Sequence, residues 1–167
     1  MEQLATIAAS ASSGRRASGD LDAILSKAVA MEQAARCGVP RPLLSGKMIG
    51  LVCSSLTSPD ALAFAHAATE MGAHVAHVRP DLSTSSSDAE IAETLRLLAK
   101  LYDAVGFQGA PAELQAKLGK SAGLPILWNV ASADHPSAAL AARLDGPISI
   151  AEARKLILQA TMLLALA

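Results

Sequence analysis

Met48-Ile49-Gly50-Leu51-Val52-Cys53-Ser54-Ser55-Leu56-Thr57-Ser58-Pro59-Asp60 decides how this chain folds. Its first six residues are an apolar run with the length and character of a strand buried in a parallel sheet. Ser54 to Ser58 is a polar turn. Ser58 can cap a helix, Pro59 fits the first helical turn, and Gly72, just past Met71, is a natural stop. A strand that turns directly into a helix aims free backbone N–H groups and the positive end of a helix dipole at one point, the geometry by which α/β proteins hold phosphate. The side chains oppose that use. No Lys or Arg lies between Gly50 and Gly72, and Asp60 occupies the first helical turn.

Working outward, Leu21, Ile24, Leu25, Ala28 and Ala35 form one helical stripe that stops at Gly38, with Pro40 and Pro42 beyond as a stiff link. Residues 1–19 are rich in Ala and Ser without a sustained apolar period, the composition of a mobile tail. Downstream, Ala73 to Val78 predicts a second strand, and the crossover that delivers it predicts parallel pairing. A polar, flexible loop from Asp81 to Ser87 ends in a capping box of Ser87 with Glu90, and Ile91, Leu95, Leu98 and Tyr102 give the following helix one apolar face. Ala104 to Phe107 predicts a third strand, Pro111 opens a short helix through Leu114 and Leu118, and Pro125 to Asn129 predicts a fourth strand. His135-Pro136 begins a short helix through Leu140 to Leu144, closed by the turn Asp145-Gly146-Pro147. Ser149 and Glu152 form a second capping box before a last helix that is apolar nearly all round from Leu156. The alternation predicts an α/β fold: a single doubly wound, mostly parallel sheet of about four strands with helices on both faces. Residues 20–167 read as one domain, with 149–167 as a terminal helix packed on it.

A chain of 167 residues has room for one domain with a sizeable core. At 51% hydrophobic and 17% charged it has more apolar surface to bury than usual, which favours self-association. A net charge of -1 and 2% aromatic residues leave neither the field nor the stacking surfaces that nucleic acid requires. Cys37 and Cys53 make neither a disulfide framework nor a metal-ligand spacing, which fits a reducing cytoplasm. The apolar run from Leu156 to Ala167 contains Gln159 and Thr161 and falls short of the roughly 20 residues of a membrane span. A soluble protein with no membrane partner is expected.

Several local motifs resemble the carbamoyl-phosphate-binding, N-terminal domain of the aspartate and ornithine carbamoyltransferases. Leu44-Ser45-Gly46-Lys47-Met48-Ile49-Gly50 is similar to that family's Leu-x-Gly-Lys entry into its first strand, and Phe64 with Met71-Gly72-Ala73-His74 is similar to its next helix and Leu-Gly-Gly-His turn. Glu93-Thr94-Leu95-Arg96 followed by Asp103-Ala104 resembles its Asp-Thr-Ala-Arg helix leading to Asp-Ala, and His135-Pro136 stands where the family has His-Pro-x-Gln. The likeness runs from about Leu21 to Leu144. It implies the α/β scaffold above, association into trimers through that domain, and a phosphate grip of Ser-Thr-Arg-Thr-Arg. Counted back from Gly72, that grip falls on Thr57, Ser58, Pro59, Asp60 and Ala61, so both arginines are absent. A further family arginine aligns with Gln108, the glutamine after His-Pro with Ala138, and the loop lent by a neighbouring subunit with Asp81 to Asp88, which carries no cation. Near a bound phosphate, Asp60 would add repulsion of roughly 1 kcal/mol in water and about 4 kcal/mol at an effective dielectric of 20, for charges about 4 Å apart. Glu152-Ala153-Arg154-Lys155-Leu156 and the apolar run after it resemble the family's C-terminal helix. The sequence therefore reads as a first domain from which the amino-acid-binding domain has been excised at Asp145-Gly146-Pro147.

Ser55, Thr57, Ser58, Gln108 and His135 are what this reading leaves of a vestigial ligand cleft, with no catalytic residue, metal ligand or cofactor expected. Each has a plainer role available: helix capping for Thr57 and Ser58, and a structural role for a His135 without its companions. His74 and His77, an odd number apart on a strand, face opposite sides and cannot share a metal. His66 is alone on its helix, the Ser83 to Ser87 run reads as a solvated loop, and Cys53 reads as an inert thiol. Three readings follow. The first is a catalytically inactive carbamoyltransferase-like protein kept for assembly or regulation, as a homotrimer or, as runner-up, a dimer, or with a full-length carbamoyltransferase or related enzyme of amino-acid metabolism. The second is a small-molecule or anion-binding module that reuses the cleft through Thr57, Ser58, Gln108 and His135. The third is one part of a split carbamoyltransferase.

Overall fold

The computed structural model describes residues 20–40, 42–118 and 123–166. Four strands, β1 (Met48–Cys53), β2 (His74–His77), β3 (Ala104–Gln108) and β4 (Ile126–Trp128), form one sheet in the order β2-β1-β3-β4, every pair parallel. The apolar run Met48 to Cys53 is thus a central strand, and the chain winds outward from it in both directions. Helix α1 covers residues 20–36, followed by α2 (Pro59–Glu70), α3 (Asp88–Leu101), α4 (Ala112–Leu118), a 3₁₀ helix (Pro136–Arg143) and α5 (Ile150–Leu166). The tail expected over residues 1–19 lies outside the described residues.

Strand alternation divides the core into two layers. Ile49 and Leu51 of β1, Ala104 of β3 and Leu127 of β4 are buried; Ile49, Leu51 and Leu127 pack with Ile24, Ala28, Phe64, Met71, Leu156 and Met162 from α1, α2, α5 and the turn after α2. Val105 and Phe107 point the other way, onto Ile91, Leu95 and Leu98 of α3 and Leu114 and Leu118 of α4. Helices therefore cover both faces, as the alternation predicts.

The ends of the elements follow local chemistry. Ser58 caps α2 by accepting the Ala61 N–H at 3.3 Å, with Pro59 in its first turn. Ser87 and Glu90 complete a capping box, the Glu90 carboxylate accepting the Ser87 N–H at 2.7 Å. The second box forms by half. Ser149 accepts the Glu152 N–H, but the Glu152 carboxylate pairs with Lys155 at 3.1 Å, where a full charge outcompetes a backbone amide.

Three local expectations are corrected. The fourth strand is shorter than Pro125 to Asn129, because Asn129 turns into a left-handed conformation, φ 49°. The helix after His135 is 3₁₀ in character and ends at Arg143. The loop expected to be flexible is instead tied down: Lys117 of α4 donates to the carbonyl oxygens of Thr84 and Ser86, and the buried Ser86 hydroxyl accepts the Ser83 N–H at 3.0 Å.

Candidate functional site

Parallel α/β sheets place their ligands outside the carboxyl ends of the strands, and here that edge carries two adjoining clefts. The first, about 710 Å³, lies over β3 and β4 and is walled by Gly109, Gln115, Trp128 and Asn129 on one side and by Asp60, Ser132, Asp134 and His135 on the other. The second, about 630 Å³, lies between the start of α2, the 3₁₀ helix and the start of α5, with Val130, Ala138 and Ile157 among its walls and Arg154 and Lys155 also lining it. Asp60 borders both.

The sequence-predicted residues separate into three positions. Ser55, Thr57 and Ser58 share the turn between β1 and α2, but their hydroxyls are already engaged. Ser55 Oγ lies 2.9 Å from Thr57 Oγ1 and accepts the Thr57 N–H at 3.3 Å, while Ser58 Oγ caps the helix. Gln108 ends β3 and is buried, and neither its amide nitrogen nor its amide oxygen has a hydrogen-bond partner among the described residues. Alternation puts it on the α2 face of the sheet, the same face as Gly106, beside Cys53 at the end of β1. His135 alone among them lines the larger cleft.

The tautomer of His135 follows from its partner. A backbone N–H can only donate, so Nδ1, which accepts the Ser137 N–H at 3.2 Å and lies 2.7 Å from Ser137 Oγ, carries no proton. The ring proton is therefore on Nε2, and burial holds the pKa of His135 below the ordinary histidine value of 6.5. At neutral pH this residue is an uncharged hydrogen-bond donor.

Two side chains escaped the sequence reading. Asn129 braces the floor of the cleft: its Oδ1 accepts the N–H groups of Gly109 at 2.8 Å and Ala110 at 3.2 Å, and its Nδ2 donates to Ala110 O at 3.3 Å. Trp128 forms part of the wall and stacks on Phe107 with ring centroids 4.6 Å apart. An Asn directly after a strand, free to adopt positive φ, is the only local signal of the first. Lys47, by contrast, is remote from the cleft. It meets Asp103 at 3.2 Å at the opposite, amino-terminal edge of the sheet, where the Met48 N–H and then Lys47 hold the Asp103 carboxyl below its usual value.

A family profile described as aspartate/ornithine carbamoyltransferase, carbamoyl-P binding domain, matches residues 14–144. The chain belongs to this family. An ornithine carbamoyltransferase of Cutibacterium acnes is 31% identical over 111 residues, which is 66% of this chain and 33% of that protein, and one from Actinobacillus pleuropneumoniae is 29% identical over the same shares. Among solved structures, the ornithine carbamoyltransferase of Pyrococcus furiosus superposes with a TM-score of 0.58 at 24% identity, covering 75% of this chain and 40% of that one. The aspartate transcarbamoylase of Trypanosoma cruzi in complex with carbamoyl phosphate gives 0.53 at 21% identity, covering 75% and 41%. The carbamoyltransferase domain thus spans about a third of the length of the curated relatives it matches, and the family match ends before α5 begins.

Proposed function

We propose that this carbamoyltransferase-family protein does not transfer carbamoyl groups and acts instead through assembly, with itself or with a full-length carbamoyltransferase. One observation carries the reading: the cleft over β3 and β4 is lined by Asp60 and Asp134 and, among the described residues, by no Lys or Arg. A phosphate ester needs cations or free donors at that edge. The turn that could supply donors has Pro59 and Asp60 at the third and fourth of the motif's five places, the Ser55 and Thr57 hydroxyls bond to each other, and the Ser58 hydroxyl caps α2. Helix α5, which we assign as the counterpart of the family's C-terminal helix, supports a scaffolding role by covering α2 with a buried apolar face.

The test is calorimetry with carbamoyl phosphate, with and without a full-length ornithine carbamoyltransferase, alongside a radiolabel assay of transfer to ornithine and aspartate. The chain alone is expected to be silent, and the full-length enzyme is expected to bind and turn over at its own level whether or not the chain is added. Turnover by the chain alone would overturn the reading, and turnover restored by the chain to a full-length enzyme whose own active site is disabled would overturn it in favour of a split enzyme. A second reading, a binding module for a ligand other than phosphate, is favoured by the buried Gln108 amide without partners at the same strand end.

A further inference from the structure

We draw no further inference here: the strongest candidate, the cleft of about 630 Å³ between the start of α2, the 3₁₀ helix and the start of α5, offers an apolar wall of Val130, Ala138 and Ile157, but its Lys155 is already paired with Glu70 and Glu152 and nothing in the structure shows what fills it.

Discussion

Asp60 is the residue on which the site turns, because it puts a carboxylate where the family motif has a phosphate-binding side chain beside two arginines. Asp60→Arg should restore a cation at the helix terminus and create measurable phosphate affinity by calorimetry at low salt. No gain would mean that the turn, with Ser55 and Thr57 bonded to each other and Ser58 capping α2, stays closed to the ligand. This part of the site was legible in the sequence, since a missing cation in a known turn needs only residue identities. The brace made by Asn129 was not, because it depends on a positive φ and on the tertiary approach of β3 to β4. Gly106 makes the same point in the core. A Cβ there would sit 2.2 Å from Phe64 Cζ, so Gly106→Ala should destabilise the protein by about 1–3 kcal/mol in urea melts, the usual cost of overpacking. His135 predicts a pH effect with a definite sign. Its folded pKa lies below 6.5, so below that pH the unfolded chain takes up a proton that the folded chain refuses, and stability falls as pH drops from 6.5 toward the folded value. Denaturant melts at pH 7.5 and 5.5 should show a smaller difference in His135→Asn, where Asn can still cap the 3₁₀ helix.

Elements were the most legible level, and the reason is that their signals are local. The apolar run Met48 to Cys53, the Ser58-Pro59 start, the Ser87 to Glu90 box and the stop at Gly72 all lie within a turn of the boundary they set. What the sequence hid were contacts between elements distant in the chain. Lys117 is an unremarkable charge on a short helix until α4 packs beside α3 and its ammonium caps the carbonyls of Thr84 and Ser86. Lys117→Ala should therefore leave the sheet intact while loosening residues 82–87. Hydrogen exchange at the Ser83 and Ser86 amides is expected to quicken by about tenfold, the equivalent of about 1.4 kcal/mol for two charge-assisted bonds on a partly exposed loop. Unchanged exchange would show that Ser86 and Leu82 hold the loop without it. Helix α5 depends on a similar long-range contact. Lys155 bridges Glu70 and Glu152, and although burial opposes its charge, the hydrogen bonds it donates to both carboxylates raise its pKa. The bridge therefore persists through neutral pH and is lost only as pH rises through that elevated value.

At the scale of the whole molecule the question is what covers the apolar surface that the fold leaves outside. Helix α3 buries Ile91, Leu95 and Leu98 against the sheet, yet Leu97 and Leu101, four residues apart on its opposite side, are 49% and 65% exposed. Leu56 in the β1–α2 turn and Leu62 on α2 are 48% and 56% exposed. Scattered single leucines need no explanation, but an i, i+4 pair at the C-terminal end of the helix that follows the Asp81 to Asp88 loop, in a chain with only 17% charged residues, is a candidate contact surface. We propose three copies, the number that the family resemblance implies, with the loop that Lys117 anchors on the contact face. A trimer is the expected assembly and a dimer the runner-up. Light scattering on a size-exclusion column at micromolar and nanomolar concentrations reads the mass directly, and Leu97→Lys with Leu101→Lys should shift it to the monomer without lowering the melting point of the fold. A monomer at both concentrations in the parent chain would remove self-assembly from the proposed function, and an unshifted oligomer in the double variant would place the interface on another face.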